Sequence, residues 1–306
     1  MRKPLIKPWA LNRGDAIGIA APASPFDPET FNAGVRVLES LGFEVKVPEG
    51  IFKKQGYHAG TEAQRAALLM ELFQDDSLRG IMCARGGFGS MKLLPLLDFE
   101  TIARHPKVLI GFSDISALLL AVLCKSGMVT FHGPLVTTLA RGSERTVSVL
   151  FQAVSSSEPM VMKASEPVEL CAGRASGPVL GGNLTTLVHL TGTPYAPALK
   201  GCLLFLEDRG EAPYRIDRMM SHLYLSGHLD GVRGVILGSF QDCGSLPEVY
   251  SVVSQVFGDR PVPILGGMDL GHGKDNMTIP LGLEATLDTA QGTLQFKDCA
   301  VYDVTT

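Results

Sequence analysis

The sequence predicts an α/β protein of two domains, the first of which contains a doubly wound, mostly parallel sheet. Up to about residue 150, short apolar runs alternate with helical patterns, which is typical of parallel strands connected by helices. A chain of 306 residues is long enough for two domains or one large one. Hydrophobic residues make up 45% of the chain and charged residues 19%, so we expect a large buried core and little disorder.

The first elements follow one another as strand, helix and strand. Residues 16–22 (AIGIAAP) form an apolar run that ends at a proline, as a short buried strand does. The pattern over 27–42 predicts a helix, because Asp27 is a suitable N-cap and Pro28 suits the first helical position. Residues 43–48 then alternate between apolar and polar side chains, which indicates a second strand.

The next elements bring the chain to two loops that matter for function. A helix is predicted over 61–74, which opens with a capping box of Thr61 and Gln64. A strand over 80–84 precedes the glycine-rich sequence RGGFGS. A further strand over 107–112 precedes a Ser-Asp pair and a helix. Both loops therefore lie where a strand ends and a helical segment begins.

The second half of the chain has a different character. The stretch around 155–170 is polar, contains prolines and lacks periodicity, so we place a linker at 156–170. This leaves an N-terminal domain over 1–155 and a C-terminal domain over 171–306. We expect the C-terminal domain to be mixed α/β with an antiparallel, barrel-like portion. Its strand patterns lie at 202–207, 234–240 and 262–267, its helical patterns at about 214–226 and 246–257, and its strand-rich end at 281–296.

Charge and composition argue against several classes of partner. The net charge is −4, the pI is near 6.0 and there is no run of Lys or Arg, so neither nucleic acid nor an anionic membrane is expected as the main partner. The start of the chain has no apolar signal-peptide core, and the longest aliphatic run, 117–123, is too short to cross a bilayer. We therefore expect a cytoplasmic protein. The six cysteines are scattered, and no metal-binding spacing of Cys or His occurs.

Polar side chains follow several predicted strands at the ends where open α/β sheets bind ligands. Ser113 follows the strand at 107–112, Glu207 ends the strand at 202–207, and His272 follows the strand at 262–267. The glycine-rich RGGFGS adds a loop whose backbone amides can face a ligand. A hydroxyl, a carboxylate, an imidazole and free amides are the parts of an acyl-transfer site.

Each of these residues also has a plainer interpretation. Ser113 could simply cap the helix that follows, and Ile115 stands where the nucleophile-elbow pattern Gly-x-Ser-x-Gly has its last glycine. Glu207 could form an ordinary surface ion pair with Arg209. Among seven histidines, His272 stands out because glycines flank it on both sides, and His132 is its main rival.

A nucleotide-binding function is the alternative interpretation of RGGFGS. The sequence does not fit Gly-x-Gly-x-x-Gly, because Lys92 occupies the last glycine position, and no P-loop Lys-Ser/Thr pair follows it. A loop that presents backbone amides to an oxyanion explains the glycines as well. A non-catalytic protein that binds a nucleotide or another small ligand stays open on this evidence.

Five sequence blocks resemble those of a known enzyme family. In order they are RGGFGS, LIGFSDISALL, GPVLGGNLTTLVHLTGTPY, LFLEDRGEAPYRIDRMM and GHGKDNMTIPLG, and they extend from about residue 85 to 282. Their order and spacing are similar to those of the LD-carboxypeptidases, serine peptidases that include murein tetrapeptide carboxypeptidases and microcin-C immunity peptidases. The opening GDAIGIAAPASP is similar as well, so the resemblance covers nearly the whole chain.

The resemblance implies a catalytic apparatus. Ser113 would be the nucleophile, Glu207 and His272 would complete the triad, and the backbone N–H groups of Gly87 and Asp114 would bind the oxyanion. The implied fold has an N-terminal domain like that of class I glutamine amidotransferases and a C-terminal domain with a β-barrel-like core, often in a homodimer. Such chemistry needs no metal or organic cofactor.

The resemblance also implies a substrate. It would be the cytoplasmic murein tetrapeptide, from which the terminal D-alanine is removed during peptidoglycan recycling. Hydrolysis of a peptide-nucleotide antibiotic is the alternative within the family. A carboxypeptidase must hold a free carboxylate, and Arg85 and Arg209 are candidates for that role, although Arg85 could equally anchor the glycine-rich loop. Gly86 is a further candidate for substrate binding.

Overall fold

A computed structural model describes residues 3–258 and 260–303 of the chain. The chain forms two compact units. The first is drawn from Met1–Ser157, Met277–Pro280 and Ala300–Thr306, and the second from Glu158–Asn276 and Leu281–Cys299. Within the described residues, no helix is both long enough and apolar enough to cross a bilayer.

Strands and helices alternate along the first half and become mixed in the second. The strands are β1 Ala16–Ala20, β2 Glu44–Lys46, β3 Leu78–Cys83, β4 Val108–Gly111, β5 Thr130–His132, β6 Val161–Lys163, β7 Val168–Cys171, β8 Arg174–Asn183, β9 Leu203–Arg209, β10 Gly234–Gln241, β11 Ile264–Gly266, β12 Ile279–Leu281, β13 Glu284–Asp288 and β14 Thr293–Phe296. The α-helices are α1 Pro28–Ser40, α2 Glu62–Gln74, α3 Phe99–Arg104, α4 Ser116–Ser126, α5 Val136–Leu139, α6 Glu144–Ser155, α7 Leu184–Leu190, α8 Pro213–Leu225 and α9 Leu246–Phe257. Two 3₁₀ segments, Met91–Leu96 and Ser113–Ile115, follow the glycine-rich loop and β4.

The first unit contains a doubly wound sheet, as predicted. Its six strands lie in the order β12-β5-β4-β3-β1-β2, and the ladders that join β2, β1, β3, β4 and β5 are all parallel. From β1 the chain passes first to β2 on one side and later to β3 on the other. The loops that follow β1 and β3 therefore diverge at a topological switch point, where sheets of this kind bind ligands.

Local signals in the sequence set the ends of the first helices. The side chain of Asp27 accepts a hydrogen bond from the Thr30 N–H at 2.8 Å and caps α1. Thr61 and Gln64 form the reciprocal capping box predicted for α2, with bonds of 3.0 and 3.1 Å. These contacts join residues only three positions apart, which is why the sequence alone predicts them.

The second unit contains a mixed sheet of eight strands in the order β6-β14-β13-β8-β9-β10-β11-β7. Its centre, from β8 to β11, is parallel, and the strands on either side of this centre are antiparallel. The mixed α/β class is thus confirmed. In the described part of the chain, β6 and β7 stand at opposite ends, so the antiparallel portion extends an open sheet and does not close a barrel.

The segment 156–170, which we predicted as a linker, instead contributes β6 and the start of β7 to this sheet. Met160, Met162 and Ala164 are buried at alternate positions, and Met162 lies opposite Leu294 in the ladder between β6 and β14. The sequence of this segment does not predict a strand, because serines and prolines interrupt its alternation of apolar residues and the partner strand lies about 130 residues further along the chain.

Candidate active site

Ser113 occupies a strained turn at the end of β4. We call residues 111–115 the serine turn. Among the described residues, Ser113 and Asp242 are the two non-glycine residues with positive φ, and the φ of Ser113 is 63°. A residue with a Cβ rarely adopts this conformation, and it costs on the order of 1–3 kcal/mol when it does. The surrounding structure therefore holds the serine in place at the carboxyl end of a parallel strand.

The serine turn forms without the second glycine of the elbow pattern. Ile115 stands at that position and packs against Gly111, where a Cβ would lie 2.6 Å from the Ile115 Cγ2. The N-cap position of the 3₁₀ segment falls on Phe112. Ser113 is thus the first residue of that segment and not its cap, which removes the plainer interpretation of this residue.

The glycine loop, residues 85–90, lies directly against the serine turn. A Cβ at Gly86 would lie 3.0 Å from the Ser113 Cβ and 3.3 Å from its Oγ, so the loop backbone approaches the hydroxyl closely. At Gly87 the φ is 104° and a Cβ would lie 2.7 Å from the Ser24 Cβ. Ser24 also holds the loop: its Oγ accepts from the Phe88 N–H at 3.1 Å, and its N–H donates to the Gly86 carbonyl at 3.2 Å.

The side chain of Asp114 connects the serine turn to the glycine loop. Its carboxylate accepts a hydrogen bond from the Ser90 N–H at 2.8 Å, and the Ser90 hydroxyl donates to the Asp114 carbonyl at 2.5 Å. Both residues are buried. The sequence indicated a role only for the backbone of Asp114, because a contact between residues 24 positions apart has no local signature.

In the second unit, Glu207 and His272 form a close pair. Glu207 lies near the end of β9 and its side chain is fully buried, whereas the His272 side chain is 14% exposed. The Glu207 Oε2 accepts from the His272 Nδ1 at 2.7 Å and from the His272 backbone N–H at 3.2 Å. A carboxylate bound to Nδ1 selects the tautomer whose Nε2 can accept a proton.

The other partners of these residues exclude their plainer roles. Arg209 forms an exposed ion pair with Asp242, with 3.6 Å between its Nε and the Asp242 Oδ2, so Glu207 is not its surface partner. The rival histidine, His132, is fully buried in β5 and its ring packs edge-on against Phe112 at a centroid distance of 5.9 Å. It is a core residue.

The segment that carries His272 is held against β10 by backbone contacts. The register between β9 and β10 shifts between Leu237 and Phe240, and at this irregularity the Ser239 N–H donates to the Leu270 carbonyl at 2.8 Å. The Gly271 N–H donates to the Asn276 Oδ1 at 2.8 Å. A bulge of this kind commonly re-aims a strand next to an active site.

Asp208 has a structural role that the sequence did not reveal. It follows Glu207 directly, and successive side chains in a strand point to opposite faces. Its carboxylate accepts from the Asn183 Nδ2 at 3.0 Å and from both the N–H and the hydroxyl of Thr185 at 2.8 Å. Burial, with a smaller contribution from the Glu207 charge, raises the pKa of Asp208 above its usual value. These hydrogen bonds connect the end of β9 to the junction between β8 and α7.

Arg85 has at least one structural contact. Its Nη1 donates to the Pro25 carbonyl at 2.6 Å, which agrees with a role in anchoring the glycine loop to the loop that follows β1. Among the residues that the structure describes, no group of three His, Cys, Asp or Glu side chains is arranged to hold a metal ion.

Comparison with known proteins identifies the family. Residues 17–133 match the LD-carboxypeptidase N-terminal domain, and residues 176–287 match the LD-carboxypeptidase C-terminal domain. The two matches include Ser113 and the glycine loop in the first region and Glu207 and His272 in the second. The resemblance seen in the sequence blocks is thereby confirmed.

Relatives and solved structures agree with this result. The chain is 37% identical to the probable murein peptide carboxypeptidase of Bacillus subtilis, over 94% of this chain and 93% of the relative. It is 30% identical to the microcin C7 self-immunity protein MccF of Escherichia coli, over 90% and 91%. The crystal structure of muramoyltetrapeptide carboxypeptidase from Oxalobacter formigenes matches with a TM-score of 0.81 and 29% identity, over 92% and 97%. With the matched domains spanning both the serine turn and the Glu207–His272 pair, the chain belongs to the LD-carboxypeptidase family and is a carboxypeptidase.

Proposed function

We propose that this chain is a serine-type LD-carboxypeptidase that removes the terminal D-alanine from the murein tetrapeptide, with Ser113, Glu207 and His272 as its catalytic triad. The observation that carries the proposal is the 2.7 Å bond between the buried Glu207 carboxylate and the His272 Nδ1. A buried carboxylate on Nδ1 is the arrangement that makes an imidazole a general base for a serine. The strained Ser113, with a φ of 63°, is the matching nucleophile.

The proposed reaction proceeds through an acyl-enzyme. The His272 Nε2 takes the proton of the Ser113 hydroxyl as its Oγ attacks the carbonyl carbon of the L-configured residue. Glu207 stabilises the imidazolium that forms. When the tetrahedral intermediate collapses, the C–N bond breaks and His272 gives its proton to the departing amine of D-alanine. Water, deprotonated by His272, then hydrolyses the ester and restores the Ser113 hydroxyl.

The negative charge that develops on the carbonyl oxygen in the transition state is best stabilised by hydrogen-bond donors that are in position before the reaction begins. We propose the backbone N–H groups of Gly87 and Asp114 for this role, each contributing roughly 3 kcal/mol to transition-state stabilisation. The close contact of Gly86 with Ser113 and the bonds between Ser90 and Asp114 support this assignment, because they bring the glycine loop and the start of the 3₁₀ segment together.

The substrate class follows the names of the relatives, two of which refer to murein peptides or muramoyltetrapeptide. Arg85 and Arg209 are the proposed contacts of the terminal carboxylate, and Gly86 is proposed as a further substrate contact. Arg209 is the better supported of the two arginines, because its ion pair with Asp242 is exposed and long at 3.6 Å and exchanges readily for another carboxylate. A cytoplasmic location, a part in peptidoglycan recycling and a homodimeric state belong to the same proposal.

The second candidate is hydrolysis of a peptide-nucleotide amide. It is favoured by the 30% identity to a microcin C7 self-immunity protein. Both candidates use the same triad, so only the acyl and leaving groups distinguish them.

The decisive experiment is incubation of the protein with L-Ala-D-Glu-diamino acid-D-Ala, with released D-alanine as the readout. We expect release by the wild type and none above background from Ser113→Ala or His272→Ala. Near-normal turnover by either variant would refute the triad. A wild type that leaves this peptide intact but cleaves an aminoacyl sulfamoyl nucleoside would refute the substrate and favour the second candidate.

A further inference from the structure

We infer that Gly271 is a positioning residue, whose missing side chain leaves the space in which the Glu207 carboxylate meets His272. The inference rests on the proposed triad and extends it. In the sequence, the glycines beside His272 indicated only freedom of the backbone. In the structure, Gly271 has a more specific contact, with the acidic member of the pair.

The evidence is that a side chain at position 271 would overlap the Glu207 carboxylate. A Cβ at this position would lie 2.6 Å from both the Cδ and the Cγ of Glu207, and it would be closer still to Oε2. Side chains in folded proteins do not approach so closely, so either the carboxylate or the 271–272 backbone would have to move. The atom that overlaps most is Oε2, the same oxygen that accepts both hydrogen bonds from His272.

The surroundings of Glu207 leave the carboxylate little room to withdraw. Its side chain is fully buried, in an interior packed as densely as an organic crystal. Gly238 in β10 lies close to the start of this side chain, because a Cβ there would lie 3.0 Å from the Phe205 ring and 3.2 Å from the Glu207 Cβ. The Gly271 backbone is itself held by the bond from its N–H to the Asn276 Oδ1. A side chain at position 271 would therefore lengthen or break the hydrogen bond between Glu207 and His272.

The test is Gly271→Ala, with Gly192→Ala as the matched control. Both glycines belong to the second unit and have positive φ, 93° at Gly271 and 77° at Gly192, but no atom lies within 4 Å of a Cβ at Gly192. The control therefore carries the backbone strain of alanine without the overlap. We expect Gly271→Ala to lower kcat about 100-fold with KM changed less than about threefold, the effect of misplacing a catalytic group by an ångström or less. Gly192→Ala should retain both values.

Two measurements separate positioning from a general loss of structure. The first is the proton NMR signal of the His272 Nδ1–H, which a short bond to a carboxylate shifts far downfield. It should be present in wild type and Gly192→Ala and absent in Gly271→Ala. Recording it in a Ser113→Ala background makes this result independent of turnover, so a failure of the proposed substrate or nucleophile does not affect it.

The second measurement is a double-mutant cycle between Gly271→Ala and Glu207→Ala. In the wild-type background the overlap should raise the unfolding equilibrium constant well beyond the roughly tenfold effect of positive-φ strain. In the Glu207→Ala background all three overlapping atoms are gone, so Gly271→Ala should cost no more than Gly192→Ala. If Gly271→Ala alone fails to fold, recovery of folding in the double variant gives the same evidence. Equal costs in both backgrounds, or a retained Nδ1–H signal with kcat close to that of Gly192→Ala, would overturn the inference.

Discussion

The serine turn of the first unit is shaped by backbone geometry, whereas the Glu207–His272 pair of the second unit is shaped by side-chain burial and hydrogen bonding. Around Ser113 the decisive features are a φ of 63° and glycines that let one loop approach another. Around Glu207 they are a fully buried carboxylate and a 2.7 Å bond to an imidazole. Apart from loss of the Ser113 hydroxyl itself, changes in the first region should therefore act through backbone shape, and changes in the second through the charge of Glu207 and its position.

The strongest test of this contrast is Ser113→Gly. Loss of the hydroxyl should reduce kcat by on the order of 10⁶-fold. Glycine tolerates positive φ, so the same change should stabilise the fold by about 1 kcal/mol. Steady-state kinetics and urea denaturation measure the two effects. Ser113→Ala, which keeps the strain, serves as the control and should be inactive without the gain in stability. A Ser113→Gly variant no more stable than Ser113→Ala would mean that the turn is not strained.

Glu207→Gln tests the pair in the second unit through charge with almost no change of shape. The amide cannot compensate an imidazolium, and it offers an acceptor to Nδ1 only in one orientation. We expect kcat to fall by about 10³- to 10⁴-fold while KM changes little. Asp208→Asn is the matched control, because Asp208 is a buried carboxylate on the same strand that bonds to Asn183 and Thr185. It should lower stability and leave kcat within about threefold. Equal losses of kcat in Glu207→Gln and Asp208→Asn would show that the charge of Glu207 has no special role in catalysis.

Asp114→Ala tests whether the glycine loop depends on the serine turn. The change leaves the buried Ser90 N–H without its acceptor, which costs about 1–3 kcal/mol of stability. Because the loop is then free to shift, we expect kcat to fall about 10- to 100-fold. Asp114→Asn retains an acceptor oxygen and should recover most of both losses. Full activity in Asp114→Ala would show that the two loops hold their positions independently.

The smallest expected effect is the pH dependence that arises from Asp208. Its pKa in the folded state is raised above the value of 3.8 expected for the unfolded chain. As the pH rises above 3.8, the unfolded chain loses this proton before the folded protein does, so the stability that protonated Asp208 contributes below pH 3.8 is lost progressively until the folded pKa is passed. The difference in unfolding free energy between wild type and Asp208→Asn should therefore decrease with rising pH over this window. A difference that increases would contradict the raised pKa.

Much of the first unit could be predicted because its signals are local. The caps of α1 and α2 depend on residues three positions apart, and the alternation of apolar runs and helical patterns predicts the parallel sheet. The segment 156–170 lacks such local signals, because β6 pairs with β14, a strand far along the chain. The role of Asp208 was missed because its partners come from a different strand and helix.

The sequence by itself determined the chemical groups of the proposed site, their order along the chain and the strand ends that present them, because these follow from local pattern and from motif blocks shared with a family. Only the tertiary structure determines the conformation, burial and hydrogen bonding of those groups. The burial of Glu207, its bond to a histidine 65 residues away, the left-handed conformation of Ser113 and the space left by Gly271 all depend on segments that are distant in the chain. Such contacts form when packing and hydrogen bonding outweigh local conformational preferences, so no short stretch of sequence predicts them.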